Sequence, residues 1–266
     1  MVDLGPLLED LRAEGDDLDR TAAAGGADLD TLWRTPTPAA GWTVAHQIAH
    51  LAWTDRLVLL SAIHEEAFAA AAARAATDPT GFTNAGAHQL AAEEPAKLLT
   101  TWRDGIVELC EAISHLPGGR HLSWFGPGMS AASMVSARIM ETWAHGQDIA
   151  DALGVTREPT ARLRHVAHIA VAARGYAYTV NGRTPPEAPI RVELVGPAGA
   201  VWTWGPADAT GRVTGPALDF CLLATRRRHR DDLKVTAAGP DADAWLDIIQ
   251  AFAGPPGPGR HAGQFP

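Results

Sequence analysis

The chain has 266 residues, with 22 Lys and Arg against 31 Asp and Glu for a net charge of −9, and 46% of its residues are hydrophobic. That length gives one large domain or two modest ones with a sizeable core. The acidic balance without a basic stripe argues against nucleic acid as the main partner. No apolar run spans a membrane, because Asp55, Arg56, Glu65 and Glu66 interrupt the most hydrophobic stretch.

Leu4 to about Ala24 carries Leu4, Leu7, Leu8, Leu11 and Leu18 near helical spacing, so a first helix is expected there, ended by Gly25-Gly26. A short segment with Leu29, Leu32 and Trp33 comes next, then a Thr35-Pro36-Thr37-Pro38 linker. A second helix is predicted over Val44 to Ala76, with Thr43 as N-cap and a break near His64. Asp78 to Gly81 reads as a turn. The third helix, Pro95 to Leu116, presents Leu98, Leu99, Trp102, Ile106, Leu109 and Ile113 as an apolar stripe, stopped by Pro117-Gly118-Gly119. Trp124 to Gly128 reads as a loop, and Ser130 caps a helix from about Ala131 to Leu153.

A fifth helix is expected over Pro159 to Val180, and the Gly/Pro-rich stretch Asn181 to Ala188 reads as a domain junction. Beyond it the pattern alternates. Strands are predicted at Ile190 to Val195, Ala200 to Trp204, Arg212 to Gly215 and Leu233 to Ala237, with helices at Pro216 to Arg227 and Ala242 to Phe252. The Gly/Pro-rich tail from Gly254 reads as mobile. Cys110 and Cys221 are far apart and form no Cys-x-x-Cys pattern, and the first residues lack a basic and an apolar region. A reduced, cytoplasmic protein without a signal peptide is therefore expected.

Within the helix ending at Leu153, Glu141 and His145 are four apart and Asp148 three further on, so all three share one face. Such a face suits a divalent metal, with an imidazole and one carboxylate as ligands and Asp148 free to orient the ring. A local contact on the helix surface is the other reading of Asp148. A partner helix is needed, and His50 in Trp42-Thr43-Val44-Ala45-His46-Gln47-Ile48-Ala49-His50 is the best candidate. Helices with inward polar groups match bundles that build metal sites in their core. Zinc is the first expectation, while nickel, iron and manganese also suit two histidines and a carboxylate.

His46, four before His50, reads as a fourth ligand, a base or a structural histidine. Arg138, three before Glu141, pairs with it, meets an anionic substrate, or is an ordinary surface arginine. Trp42, Trp124, Phe125 and Trp143 flank the metal segments and either line a cleft or pack the core. The run Arg226-Arg227-Arg228-His229-Arg230 is either a solvated helix end or a clamp for an anion or sugar.

Gly41-Trp42-Thr43 followed by His50-Leu51-Ala52, with Glu141-x-x-x-His145 far downstream, resembles the DinB/YfiT-like metal-binding helix-bundle superfamily. Within it the chain is similar to the mycothiol-dependent maleylpyruvate isomerase group. The string Met140 to Asp148 and the later Asp219-Phe220-Cys221-Leu222-Leu223 resemble an actinobacterial subfamily. The resemblance implies an α+β chain: a DinB-like four-helix bundle over 1–182, a small sterol-carrier-like domain over 189–256 and a flexible tail over 257–266. It implies metal ligands His50, Glu141 and His145 and an activity-bearing arginine matched by Arg226; His46, Trp42 and Trp143, placed beside the ligand segments, join Arg226 as candidates for the cofactor site. The implied activity is that of a cytoplasmic, metal-dependent isomerase or S-transferase, a monomer or homodimer. It would use mycothiol as cosubstrate and a metal-bound thiolate to attack a small electrophile. A metal-assisted hydrolase or cyclase, or a non-catalytic binding protein, are the rival readings.

Overall fold

The computed structural model describes residues 3–24, 28–117 and 119–265. Met1, Val2, the Gly25-Gly26 helix stop, Ala27, Gly118 and Pro266 lie outside them. Two compact units make up the chain, residues 1–157 and 158–266.

The first unit is helical: α1 (Gly5–Ala24), α2 (Leu29–Arg34), α3 (Val44–Ile63), α4 (Glu65–Thr77), α5 (Pro79–Ala91), α6 (Pro95–Ser114) and α7 (Ala131–Leu153). Between α6 and α7 stands a small hairpin, β1 (His121–Trp124) and β2 (Gly126–Ser130). Four long helices close a ring, α3 packing on α6 and α7 and α1 packing on the same two. The stripe predicted on α6 is the stripe that is buried: Leu98, Trp102, Ile106, Leu109 and Ile113 recur every three or four residues. They meet Leu8, Leu11 and Leu18 of α1 and Ile48, Leu51 and Val58 of α3 in one core. Gly15 lets α1 approach α6, since a Cβ there would stand 2.8 Å from Ile106 Cδ1.

Local signals set the helix ends. Asp28, Glu94 and Ser130 each accept a hydrogen bond from the first turn of α2, α6 and α7. The long second helix breaks where expected, as His64 leaves helical geometry between α3 and α4. Two elements were not expected. Helix α5 begins within the Asp78–Gly81 stretch read as a turn and continues to Ala91, started by Asp78 as N-cap and Pro79 at the first position. The Trp124–Gly128 stretch read as a loop is the tip of the β1–β2 hairpin.

The second unit contains α8 (Leu163–Ala172), α9 (Arg174–Val180), β3 (Ile190–Val195), β4 (Val201–Trp204), β5 (Gly211–Pro216), α10 (Ala217–Ala224), β6 (Thr236–Ala238) and α11 (Pro240–Ile248). Its sheet has the order β4-β3-β5-β6, with β3 antiparallel to β4, parallel to β5, and β5 antiparallel to β6. Ile190, Val192 and Leu194 of β3 point to the buried face. The chain leaves β4 at Gly205, whose φ of +77° and 2.2 Å approach of a would-be Cβ to Ile190 O admit only glycine. Helix α10 packs on β3, β5 and α8, and α11 on β5, β6 and α9.

The expected helical N-terminal part and C-terminal α+β part are both present. The boundary differs from the expected 182–189 junction: α8 and α9 pack with α10 and α11, so the division falls ahead of them. Their apolar faces needed a partner, and residue spacing alone did not say which. The tail makes contacts within the second unit. Gly254 N donates to Tyr176 Oη at 2.8 Å, Gly263 N to the Asp232 carboxylate, and Phe265 lies under the Arg228 guanidinium at 4.6 Å.

Candidate metal centre

Helices α3 and α7 pack against each other and bring together the three residues expected as ligands. His50, Glu141 and His145 each offer a ligand atom, and these atoms lie within 4.8 Å of one another. His50 Nε2 stands 3.4 Å and His145 Nε2 3.2 Å from the same oxygen, Glu141 Oε2. Burial alone would push the Glu141 carboxyl up. The facing His145 and His50 side chains outweigh it and hold the group well below the usual carboxylate range. An ionised oxygen and two imidazole nitrogens at one point form a donor set that fits a divalent cation.

Behind the triad runs a chain of hydrogen bonds. His145 Nδ1 lies 2.5 Å from Oε1 of Gln47, a fully buried residue of α3. Gln47 Nε2 donates to Thr37 Oγ1 at 2.8 Å, and Thr37 Oγ1 donates to the Trp42 carbonyl at 3.0 Å. Thr37 is fixed in turn by its backbone N–H on the same carbonyl at 2.8 Å, in a tight loop closed by the Pro36–Thr43 bridge. His50 Nδ1 is buried with no hydrogen-bond partner among the described residues.

The Trp42 indole covers the imidazoles, stacked on His145 at 6.1 Å and tilted on His50 at 5.3 Å. It is held by a bond from its Nε1 to Asn84 Oδ1 of α5. His46 stands outside the triad. Its Nδ1 accepts from Thr43 N–H at 3.2 Å, a capping contact at the start of α3. Its Nε2 therefore carries the proton and donates to His88 Nδ1 of α5 at 2.8 Å. Burial, and secondarily the charge of His88, lower the pKa of His46.

Arg138 does not face Glu141 or solvent. It donates through Nε to Asp55 Oδ1 at 2.7 Å, and both side chains are 2% exposed. Burial pushes the Asp55 carboxyl up, and Arg138 pulls it back. Asp148 is buried on α7, and Gln47 from the opposite helix meets His145 Nδ1. Trp143 is buried beside Arg157, whose guanidinium lies 5.8 Å from the indole. Trp124 and Phe125 join Phe68 and Phe82 in an aromatic cluster.

Arg226 belongs to the second unit, just after α10, in a left-handed conformation with φ of +61°. With Arg228, His229, Arg230 and Arg260 it lines a cavity of about 210 Å³ in that unit. Arg230 is paired to Asp243 and Asp247, whereas Arg226 Nε is buried without a partner among the described residues.

Reading the sequence missed Gln47, Thr37, Asn84 and His88. Only Gln47 carried a signal, as a polar residue one turn before His50 on the same helix.

Residues 11–150 match the family model described as mycothiol maleylpyruvate isomerase N-terminal domain. Residues 186–237 match a second model, described as wyosine base formation. Two uncharacterised Mycobacterium tuberculosis proteins, from strains CDC 1551 / Oshkosh and H37Rv, are each 56% identical over 260 residues, 98% of this chain and all of theirs. The fold is similar to that of crystal structures of a mycothiol-dependent maleylpyruvate isomerase and of a histidine-to-alanine variant of it. Each has a TM-score of 0.57 and 18% identity, covering 90% of this chain and 96% of theirs. By sequence match and by fold, the chain belongs to the mycothiol maleylpyruvate isomerase N-terminal domain family.

Proposed function

We propose that this protein is a metal-dependent, mycothiol-using enzyme that isomerises a small electrophilic metabolite. His50, Glu141 and His145 hold the metal, zinc first among the ions that suit the set. The observation that carries the reading is the convergence of two imidazole nitrogens and one ionised carboxylate oxygen in a chain of this family. When bound, a divalent ion favours thiolate over thiol and so supplies a strong nucleophile at neutral pH.

The protein's own groups do the rest. Glu141 stays ionised because both imidazoles face it. With a cation in place His145 would present Nε2 to it, its Nδ1 proton meeting an amide oxygen. Trp42 shields the imidazoles from water on one side. Arg226 contributes a guanidinium fork for the hydroxyl- and amide-rich thiol. Its free Nε and the cationic cavity around it, together with the family resemblance, support that role. In the isomerisation the sulfur adds to an activated cis double bond, the resulting single bond rotates, and the sulfur leaves as the double bond reforms.

Turnover of zinc-loaded protein with mycothiol tests this, on a panel of cis-enoyl acids and of substrates bearing a leaving group. The expected result is thiol-dependent cis-to-trans conversion without thiol consumption. Stoichiometric loss of thiol on the leaving-group substrates would replace isomerisation by S-transfer. Equal turnover without thiol would overturn the reading in favour of metal-assisted hydrolysis.

A further inference from the structure

The hydrogen bonds behind His145 have a direction, and one end of the chain sets it. A carbonyl oxygen can only accept, so the Trp42 carbonyl takes the proton of the Thr37 hydroxyl, 3.0 Å away. Thr37 Oγ1 must then accept from Gln47, at 2.8 Å, which assigns the amide NH2 to that side. Gln47 Oε1 is left facing His145 Nδ1 at 2.5 Å, and an amide oxygen cannot donate. The proton of a neutral His145 therefore sits on Nδ1. Its lone pair then sits on Nε2, 3.2 Å from Glu141 Oε2, the competing acceptor that would draw the proton to Nε2 in metal-free protein if Gln47 were absent. His50 has no such device, since its Nδ1 lacks a partner among the described residues.

We propose that Gln47 is a positioning residue that locks His145 in the Nδ1–H tautomer, anchored through Thr37 to the Trp42 carbonyl, so that Nε2 stays available to a divalent cation. This rests on the metal reading above. The amide does the work that a carboxylate or backbone carbonyl does behind many metal-bound histidines. Because Gln47 is fully buried, its oxygen has no water to turn to if the ring flips, and the wrong tautomer would leave acceptor facing acceptor. The neutral amide also adds no charge near Glu141, so the net charge of the ligand set stays that of one carboxylate. The Thr35-Pro36-Thr37-Pro38 segment then serves the site: its backbone places the hydroxyl that orients the amide.

Two readouts on the full-length protein test it, both at a pH where imidazole is neutral. The tautomer of His145 in metal-free protein is read from two-bond nitrogen–hydrogen correlations of the ring. Zinc affinity is read by competition with a chromophoric chelator. Gln47→Leu removes the acceptor at similar volume. It should weaken zinc about 10- to 100-fold, the usual cost of losing such an outer partner, and bring the Nε2–H tautomer into the spectrum. Gln47→Glu, which keeps an acceptor on Nδ1 but gives up the amide donor to Thr37, should keep the Nδ1–H tautomer and lose less zinc affinity than the Leu variant. Thr37→Val should fall between, because the amide can then rotate. Wild-type affinity and tautomer in Gln47→Leu would overturn the proposal, as would equal losses in the Leu and Glu variants, which would indicate packing alone. If Gln47→Leu does not fold, the contrast between Thr37→Val and Gln47→Glu decides. Failure of wild-type protein to take up zinc would sink the metal reading, while the tautomer spectrum still judges Gln47.

Discussion

Two cysteines offer the only thiols of the chain, and both are fully buried. Burial pushes the Cys110 and Cys221 thiols up, away from the thiolate form. The sulfur nucleophile in the proposed chemistry must then come from the cosubstrate. Native protein at pH 8 should leave Ellman's reagent unreacted over minutes and release two equivalents after guanidinium unfolding. Rapid reaction of either thiol in the native state would contradict this. Arg226 gives a second test at this scale. Arg226→Lys keeps the charge and the left-handed backbone strain but loses the planar fork. A lost charged hydrogen bond is worth about 1.5–3 kcal/mol, so the apparent KM for mycothiol should rise roughly tenfold to a hundredfold, with metal content unchanged. An unaltered KM would remove Arg226 from the thiol site.

Helices α3 and α7 carry the site, and a buried ion pair joins them within a largely apolar core. The Arg138–Asp55 pair crosses their interface with almost no solvent. Removing one partner strands the other charge, so Asp55→Ala should cost about 3–5 kcal/mol in denaturant unfolding. Replacing both by Asp55→Leu and Arg138→Met should recover most of it. A loss of under about 1 kcal/mol in the single variant would mean that water reaches the pair. At this level the sequence was partly legible. Of the four bundle helices α1 and α6 came from apolar spacing and α3 and α7 from their caps, and His50, Glu141 and His145 from helical arithmetic plus the resemblance. Helix α5 was not seen because Phe82 and Leu90 are too few apolar residues to make a stripe, although Asp78-Pro79 is a helix start. Gln47 was not seen for a different reason. Its partner His145 lies 98 positions away on another helix, and Asp148, one turn from His145, was the only orienting group that spacing could nominate.

For the whole molecule, the division at 157 and 158 changes which fragment should stand alone. All three ligands, Gln47, Thr37 and Trp42 lie in the first unit. Residues 1–157 should therefore be monodisperse, helical by circular dichroism and competent to bind zinc. Residues 1–180 should aggregate, because Leu163, Val166, Ala167 and Ile169 of α8 lose the α10 they pack on. A well-behaved 1–180 and an insoluble 1–157 would put the boundary back at the Gly/Pro-rich stretch. The most direct test of the central claim is metal stoichiometry by elemental analysis of full-length protein after zinc loading and desalting. Wild type and Cys110→Ala should each retain close to one zinc per chain, and His50→Ala, Glu141→Ala and His145→Ala should each lose it while keeping the helical spectrum. Full retention of zinc in all three ligand variants would contradict the site.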